Sequence, residues 1–407
     1  MRQVAEKIIR ESLAKVLPDA AVKQALEGKR FSGKVLLVAA GKAAWQMANA
    51  AWEMLGSTIT GGIVITKYDH IKGPVGNLIL REAGHPIPDK NGSEATGEAL
   101  NMISDLQPED TVLFLLSGGG SALFEMPLIP LEQLQDITQQ LLASGADIEK
   151  MNTVRKRLSA VKGGRFAQLA KPAQVYTVVL SDVVGDRLDM IASGPAYPDS
   201  STCEEALQIA RDYRLQLSEQ VWELLAQETP KELDNVTTVI TGSVKQLCKA
   251  AKESCEKLGY EVEVITEELT CQAKEAGEIL GKLAAENAGK GKKCAFIAGG
   301  ETVVKLTGSG KGGRNQEFAL SAAKYIDGIS GTAVFSLGSD GTDGPTDAAG
   351  GYVDSHTAEK LRSAGIDIDQ TLKNNDSYHA LQKADGLIIT GPTGTNVNDV
   401  AVALINE

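Results

Sequence analysis

The 407-residue sequence predicts an α/β protein with mostly parallel sheets and two domains. Short apolar runs alternate with stretches of helical periodicity along the chain, which is the pattern of sheets connected by helices. The apolar runs are almost unbroken series of Val, Ile and Leu, as expected of strands that helices cover on both faces. The polar, proline-containing segment 227–235 lacks an apolar stripe and predicts the domain boundary, which gives domains 1–232 and 233–407.

Each element is predicted from its local pattern. Strands are expected where a short apolar run is bounded by glycine or polar residues, and helices where apolar residues recur at helical spacing. The predicted strands are Val35–Ala40, Gly62–Thr66, Thr111–Leu116, Val175–Ser181, Thr238–Thr241, Glu261–Ile265, Cys294–Ala298, Val303–Thr307, Thr332–Leu337 and Gly386–Thr390. The predicted helices between them include Trp45–Leu55, Leu131–Ala143, Val244–Leu258, Ala273–Ala288 and Asn315–Tyr325.

The charge balance restricts the class of partner. The chain carries 41 lysines and arginines against 53 acidic residues, a net charge of −12. This balance argues against nucleic acid or a membrane as the main partner and favours small anionic molecules held in a local basic pocket. No apolar run approaches the roughly 18 residues of a spanning helix, and the N-terminal segment lacks the apolar block of a signal peptide, so we expect a cytoplasmic protein. The composition does not decide the oligomeric state, and a homo-oligomer is compatible with it.

The cysteines and histidines predict no metal centre of their own. The five cysteines include no C-x-x-C pair, which indicates reduced thiols, and Cys248 and Cys255 are expected on the buried face of one helix. The four histidines lie far apart and show no zinc-binding spacing.

Glycine makes up 42 of the 407 residues, and many of these glycines follow predicted strands. Glycine lets backbone N–H groups approach an anion, and in open α/β sheets ligands bind beyond the carboxyl ends of the strands. The glycine-bearing strand ends also contain Ser, Thr, Asp or Asn, and they are 41–44, 117–121, 181–186 with 192–195, 299–302, 308–315, 338–344 and 391–396. Together these loops predict a phosphate-binding site.

Two of the loops in the N-terminal half carry the strongest candidates. Lys42 follows a buried strand and opens a helix. It is either a surface lysine or a cation that faces an anionic ligand, and the second interpretation would offset the unfavourable interaction with the helix dipole. The S-G-G-G-S run Ser117–Ser121 is either a tight turn or a point where the backbone approaches a phosphate closely.

Acidic and basic residues in the C-terminal half have two interpretations as well. Arg314 is either a surface side chain or a residue that binds a carboxylate or phosphate through two parallel hydrogen bonds. Asp340, Asp343 and Asp347 are either solvated turn residues or a set suited to Mg²⁺ or to general-base chemistry. Asp182 offers the same chemistry in the other half of the chain.

Two further patterns point in different directions. Gly308–Gly313 matches G-x-G-x-x-G between a predicted strand and helix, and Asp340 follows the next strand, so a dinucleotide-binding site is the rival interpretation. The basic segment 151–166 is either a solvated helix face or a local attraction for an anionic substrate.

A series of segments carries a family resemblance. They are A-A-G-K-A-A (39–44), L-L-S-G-G-G-S-A-L (115–123), N-T-V-R-K-R-L-S-A-V-K-G-G-R (152–165), L-S-D-V-V-G-D (180–186), I-A-S-G-P (191–195), G-G-E-T (299–302), G-G-R-N-Q-E (312–317), S-D-G-T-D-G-P-T-D-A-A-G (339–350) and T-G-P-T-G-T-N-V-N-D (390–399). Through these segments the chain resembles the class II glycerate 2-kinases, the family that carries the MOFRL domain. Arg157 departs from the family's pattern, which usually has histidine there, and this leaves the substrate preference open.

The resemblance implies both a fold and an activity. The fold would be a Rossmann-like N-terminal domain with a mostly parallel sheet and a smaller C-terminal α/β domain, with the active site in the interdomain cleft. The activity would be ATP- and Mg²⁺-dependent phosphorylation of D-glycerate at the 2-hydroxyl, although the residues alone do not decide between the 2- and 3-hydroxyl. The alternatives are an NAD(P)H-dependent hydroxypyruvate reductase and a non-catalytic sensor of nucleotides or sugar phosphates.

The candidate site residues combine the loops with this resemblance. Phosphoryl transfer needs alignment and charge neutralisation more than covalent chemistry. Lys42 and Arg314 are expected to neutralise the transferred phosphate or the glycerate carboxylate, and Asp340 to accept the hydroxyl proton or to bind Mg²⁺ together with Asp182. The residues expected to hold ATP and its phosphates are Ser117, Gly118, Gly119, Gly120, Ser121 and Asn315. The residues expected to hold glycerate are Asn152, Arg155, Ser193 and Gly194.

Overall fold

The computed structural model describes residues 1–406 and divides them into two compact units, residues 21–241 and residues 1–20 with 242–406. The helices are α1 (Arg2–Lys15), α2 (Pro18–Leu26), α3 (Ala44–Leu55), α4 (Lys90–Ile103), α5 (Gly120–Leu123), α6 (Leu131–Ala143), α7 (Ile148–Arg157), α8 (Arg165–Leu169), α9 (Cys203–Asp212), α10 (Glu219–Leu225), α11 (Val244–Lys257), α12 (Ala273–Asn287), α13 (Arg314–Ala323), α14 (Thr357–Ser363), α15 (Ile368–Lys373) and α16 (Ser377–Lys383). The strands are β1 (Val35–Ala40), β2 (Ile59–Lys67), β3 (Ile79–Ala83), β4 (Thr111–Leu116), β5 (Gln174–Leu180), β6 (Val236–Gly242), β7 (Glu261–Leu269), β8 (Cys294–Gly300), β9 (Thr332–Gly338), β10 (Gly350–Asp354), β11 (Leu387–Ile388) and β12 (Asp399–Ile405).

The first unit contains a six-stranded sheet in the order β3-β2-β1-β4-β5-β6. The pairs from β3 to β5 are parallel, and this strand order is that of the Rossmann-like doubly wound fold. Alternate side chains enter separate apolar cores on the two faces, with Val38 and Phe114 on one and Leu37 and Leu113 on the other. The predicted α/β class and Rossmann-like sheet are therefore confirmed.

The second unit contains a mixed sheet in the order β11-β10-β9-β12-β8-β7. Only β7 and β8 pair in parallel, whereas β12 runs antiparallel to both of its neighbours. The expectation of mostly parallel sheets is therefore wrong for this unit. The cause is two strands that the sequence pattern did not predict. Strand β10 pairs antiparallel with β9 and β11. Strand β12, whose V-A-V-A-L-I run has strand character, returns the C-terminal end of the chain between two strands that run the other way.

The strand predictions fail at other places where local pattern and burial disagree. Val303–Thr307 is not a strand: Val303 forms an isolated bridge to Gln272, and Leu306 is 80% exposed, so a β-prone run forms no ladder. Strand β11 keeps only two residues of the predicted Gly386–Thr390. The edge strand β3 lacks the continuous apolar run of the other strands of its sheet, because its sequence, I-L-R-E-A, contains two charged residues, and it was not predicted.

The N-terminal helix belongs with the C-terminal residues. Apolar residues of α1, such as Ile8, share a core with Leu247 on α11 and Phe335 on β9. The first unit ends at Thr241, because β6 completes the first sheet, so the observed division lies beyond residue 232 and places residues 1–20 with the second unit.

Two smaller expectations concern the cysteines and membrane spans. Cys248 and Cys255 are both buried on α11, as predicted, and all five cysteines are free thiols. None of the helices within residues 1–406 is long and apolar enough to cross a membrane.

Candidate active site

The loop after β1 is packed against the loop after β4. Gly41 has a φ of +124°, and a Cβ there would lie 2.3 Å from Oγ of Ser117, so the close approach requires glycine. The backbone N–H of Lys42 donates to the carbonyl of Gly118 (2.9 Å), and that of Ala43 donates to Oγ of Ser117 (3.1 Å). Since β1 and β4 flank the point where the strand order reverses, these loops lie where α/β sheets bind ligands.

Lys42 and His85 meet at Gly119. Gly119 has a φ of +88°, and a Cβ there would lie 3.1 Å from Cγ of Lys42 and from Nε2 of His85. The ammonium of Lys42, which is half-buried, forms no ion pair with any acidic residue in the part of the chain that the structure describes. A cation without a protein counter-ion beside a bare glycine backbone is suited to an anionic ligand.

A carboxylate lies against the neighbouring glycine of the same turn. A Cβ on Gly118 would lie 2.3 Å from Oδ2 of Asp182, which is half-buried in the loop after β5. The glycine turn is therefore flanked by the cation of Lys42 and by the carboxylate of Asp182, and both residues were predicted from the sequence.

The predicted substrate residues converge behind this turn. The hydroxyls of Ser121 and Ser193 lie 3.2 Å apart, and that of Ser193 donates to Oδ1 of Asn152 (3.0 Å). Arg155 donates to the carbonyl of Ser121 (3.1 Å). Residues 192–194 have φ values of +50°, +62° and +63°, and two of them are not glycine. Successive left-handed residues of this kind are costly and often occur at functional sites.

A buried ion pair supports the helix that follows the glycine turn. Lys162 and Glu125 are fully buried with Nζ and Oε2 3.2 Å apart. Nζ of Lys162 also donates to the carbonyls of Ser121 (2.9 Å) and Phe124 (3.1 Å), at the end of α5. Burial lowers the pKa of Lys162 to about 8. The pair thus holds the segment that links the glycine turn to the core.

Arg157 does not reach a ligand site. Its side chain is fully buried and donates to the carbonyl of Thr153 (2.8 Å) and to the hydroxyl and carbonyl of Ser201 (3.0 and 2.9 Å). Its guanidinium also lies 3.9 Å from the carboxylate of Asp199. The residue that departs from the family's histidine therefore holds the loop 199–201 within the fold.

In the second unit, Arg314 opens α13 and binds two acidic residues. Its Nε and Nη2 donate to the two oxygens of Asp399 at 2.6 and 2.9 Å, and Nη1 lies 3.2 Å from Oε1 of Glu301. The arginine side chain remains 33% exposed, so part of the guanidinium is open to a ligand. Burial raises the pKa of Asp399 to about 6, against the opposing effect of Arg314.

Asp340 and Asp399 approach the same backbone position. A Cβ on Gly338 would lie 3.3 Å from Oδ1 of Asp340 and 3.4 Å from Oδ1 of Asp399. Asp340 is half-buried and accepts a hydrogen bond from the N–H of Thr342 (2.9 Å). Asp399 was missed by the sequence reasoning, although it lies at the start of the unpredicted strand β12 and ends the segment T-G-P-T-G-T-N-V-N-D.

Asn315 and Asp343 build the start of α13 rather than a ligand surface. The carboxylate of Asp343 accepts the backbone N–H groups of Asn315 (3.1 Å) and Gln316 (2.9 Å), and burial raises the pKa of Asp343. The side chain of Asn315 is buried between Asp343 and the hydroxyl of Ser336, which donates to it at 2.6 Å. Asn315 was expected to bind phosphate, but its amide is occupied within the protein.

The G-x-G-x-x-G match has a packing function. Of the three motif glycines, Cβ atoms on Gly308 and Gly310 would lie 2.4 Å from atoms of Asn374 and Asp376, and a Cβ on Gly313 would lie 2.3 Å from Cγ of Asp343. The backbone N–H of Gly310 donates to the carbonyl of Asn374 (2.9 Å). These glycines are therefore needed for close contacts with two other segments of the same chain, and the loop does not follow a strand as a dinucleotide fingerprint requires.

Comparisons with known proteins cover both units. Residues 4–226 match the family described as a domain of unknown function (DUF4147), and residues 294–399 match the MOFRL family. The whole chain is 53% identical to D-glycerate 2-kinase of Thermotoga maritima and 40% identical to glycerate 2-kinase of Pyrococcus horikoshii, in each case over 98% of the relative. A crystal structure of glycerate kinase from Thermotoga maritima matches with a TM-score of 0.96 at 52% identity over 99% of both chains. A relative from Agrobacterium vitis that is named as a hydroxypyruvate reductase is 38% identical over 92% of this chain and 100% of the relative.

Proposed function

The chain belongs to the glycerate kinase family that combines a DUF4147 domain with a MOFRL domain, and we propose from this premise how its residues transfer a phosphoryl group. The reaction is ATP-dependent phosphorylation of D-glycerate at the 2-hydroxyl, which gives 2-phosphoglycerate. The observation that supports it most directly is Lys42, a cation without an acidic partner that lies against the bare Gly119.

The first unit supplies the phosphate-binding loop. The ammonium of Lys42 neutralises charge on the transferred phosphoryl group, and the turn Ser117–Ser121 brings backbone atoms close to the phosphates because its glycines carry no side chains. Ser193 and Asn152 form a short polar chain beside the turn and orient the hydroxyls and carboxylate of glycerate. Arg155 contributes positive charge on the same side.

The second unit supplies a positioned guanidinium. Asp399 and Glu301 hold Arg314 from two directions, so its exposed portion is oriented before a ligand arrives. A guanidinium held in this way binds a carboxylate or phosphate with less loss of side-chain entropy than a free one. We assign Arg314 to the neutralisation of an anionic substrate group and Asn315 to the positioning of α13.

Magnesium fits the acidic residues of both loops. Asp182 and Asp340 are half-buried carboxylates next to bare glycines, and proteins hold Mg²⁺ through one or two carboxylates together with substrate phosphates and water. We propose that each of these carboxylates is a candidate ligand of the ion within its own unit. When bound, the ion neutralises charge on the phosphate oxygens of ATP.

One coupled assay tests the function against its rivals. ATP, Mg²⁺ and D-glycerate should give ADP, and ³¹P NMR of the product should show 2-phosphoglycerate rather than the 3-isomer. A hydroxypyruvate reductase would oxidise NADH with hydroxypyruvate in the absence of ATP, and a sensor would bind ligands without turnover. The packing of Gly308 and Gly310 against Asn374 and Asp376, and of Gly313 against Asp343, speaks against the reductase, because this loop is not available to cradle a dinucleotide.

A further inference from the structure

His85 is a histidine of the glycine turn that the sequence motifs did not identify. It follows β3 and reaches the turn after β4, where its Cδ2 and Nε2 lie 3.0 and 3.1 Å from the position of a Cβ on Gly119. Cγ of Lys42 lies 3.1 Å from the same position. The imidazole and the lysine therefore lie against the same position of the turn, whereas Asp182 lies against the neighbouring Gly118.

The imidazole has no partner within the described protein. Neither ring nitrogen of His85 forms a hydrogen bond or ion pair with another residue among 1–406. By contrast, Nδ1 of His70 lies 3.1 Å from the carbonyl of Tyr68, and Nδ1 of His379 lies 2.6 Å from Asp376. A half-buried histidine that lacks a protein partner beside a phosphate-binding turn is available to a substrate.

Burial and the surrounding positive charges favour the neutral form of this histidine. Burial, followed by the positive charges of Lys42 and Lys67, lowers the pKa of His85 below its usual value near 6.5. The nearest acidic group on its own loop is Asp89, which lies 3.0 Å from the Cβ position of Gly84 and accepts hydrogen bonds from Tyr68 (2.6 Å) and from the N–H of Gly92 (2.9 Å). At neutral pH one ring nitrogen therefore carries a lone pair that can accept a proton.

We propose that His85 is the catalytic base that accepts the proton of the glycerate 2-hydroxyl. The hydroxyl oxygen forms a bond to the γ-phosphorus of ATP, the bond from this phosphorus to the bridging oxygen breaks, and its electron pair leaves with ADP. The proton of the hydroxyl moves to the unprotonated ring nitrogen of His85. This assignment rests on the proposed function, and within the first unit it leaves Asp182 as the candidate metal ligand.

The chemistry favours the imidazole over the two carboxylates. A base is most effective when its pKa lies close to the working pH, and a neutral imidazole meets this condition better than an ionised aspartate. The imidazolium that forms also carries positive charge beside the phosphoryl oxygens, where negative charge is spread in the transition state. His85 and Lys42 thus supply a base and a fixed cation at the same position of the turn.

The test uses His85→Asn and His85→Gln, which keep a polar side chain but remove the base. We expect kcat to fall by about 10²- to 10⁴-fold, the range for general acid–base catalysis, while ATP binding measured by calorimetry stays close to wild type. In the wild type, kcat/KM should fall as the pH drops through the pKa of His85, whereas the variants should lose this acidic limb. Added imidazole should restore part of the activity. His356→Gln, which changes an exposed histidine of the second unit, is the matched control and should behave as wild type.

Results of two kinds would overturn the histidine assignment, and another would refute the function on which it rests. Variants with kcat within about threefold of wild type, or with the acidic limb unchanged, would show that another group takes the proton. Variants that lose ATP binding while remaining folded by circular dichroism would make His85 a phosphate ligand instead. A wild-type enzyme that fails to phosphorylate glycerate would refute the proposed function itself, so this outcome is distinct from a failure of the histidine assignment alone.

Discussion

Lys162→Met is expected to destabilise the first unit strongly, because it breaks a buried ion pair while leaving the carboxylate in place. Lys162 and Glu125 are fully buried, and the next cation near Glu125 is Arg155 at 3.8 Å. Methionine preserves most of the length of the side chain, so the main change is the loss of charge. Removing one partner of a buried pair typically costs about 3–5 kcal/mol, because the remaining charge is left without compensation.

The same substitution removes two hydrogen bonds, one to a carbonyl within α5 and one to the carbonyl that follows it. The carbonyl of Phe124 loses the ammonium at 3.1 Å, whereas that of Ser121 keeps the guanidinium of Arg155 at 3.1 Å. The unit spans residues 21–241, and for that size a loss of 3–5 kcal/mol corresponds to a fall in Tm of roughly 6–20 °C. Urea unfolding of the full chain followed by circular dichroism should show the loss in the free energy of unfolding.

A double variant separates the ion pair from the packing. In Lys162→Met/Glu125→Leu both charges are gone, and replacing a buried pair by apolar groups is often neutral or stabilising. We therefore expect the double variant to be more stable than Lys162→Met alone. A loss below about 1 kcal/mol for Lys162→Met, or a double variant as unstable as the sum of the single variants, would refute the reasoning.

The pH dependence of this difference has a defined sign. Burial lowers the pKa of Lys162 to about 8 in the folded state, whereas the unfolded chain titrates near the ordinary value of 10.5. Between these two values the unfolded chain binds more protons, so the free energy of unfolding rises with pH through this window. The stability of the wild type relative to Lys162→Met should therefore increase from about pH 8 to about pH 10.5, and a flat difference would contradict the assignment.

Three further predictions concern single residues. Lys42→Ala should lower kcat by at least about 10²-fold without changing the unfolding transition. The control Lys90→Ala, at a side chain that is 84% exposed, should leave both kcat and the unfolding transition unchanged. Near-normal activity of Lys42→Ala would reject the role of Lys42. Arg314→Lys should raise KM and lower kcat, because an ammonium cannot reproduce the two contacts to Asp399 at 2.6 and 2.9 Å. Retention of wild-type kinetics would show that the bidentate geometry is unimportant. Arg157→His should reduce the free energy of unfolding by about 1–3 kcal/mol, since buried hydrogen bonds are lost. It should leave the choice of substrate unchanged. Altered discrimination between glycerate and related hydroxy acids would place this residue at the substrate instead.

The sequence was most informative about residues that directly follow a buried strand. Lys42 and the turn Ser117–Ser121 follow the carboxyl ends of two buried strands, and strand ends of this kind meet at one edge of a parallel sheet. Asp182 follows the next strand of the same sheet and could be predicted for the same reason. Arg314 was recognisable from its motif, but its two acidic partners were not.

Residues brought in by the sheet order could not be predicted from their own surroundings. His85 lies at the end of β3, an edge strand too polar to be recognised, and β3 reaches the turn only because β2 pairs with both β1 and β3. Asp399 lies at the start of β12, and it meets Arg314 because β12 enters the second sheet antiparallel between β8 and β9. Neither contact has a signature in sequence spacing, since the partners are far apart in the chain.

The sequence by itself determined the α/β class, the glycine turns and the residues that the turns carry, because strand burial and backbone conformation depend mainly on nearby side chains. Only the tertiary structure decided which group each glycine makes room for. Gly119 leaves space for Lys42 and His85, whereas Gly310, in an equally glycine-rich loop, only allows the chain to pack against Asn374. The conformational freedom of a glycine is a local property, but the group that fills the space beside it is set by which strands are neighbours in the sheet.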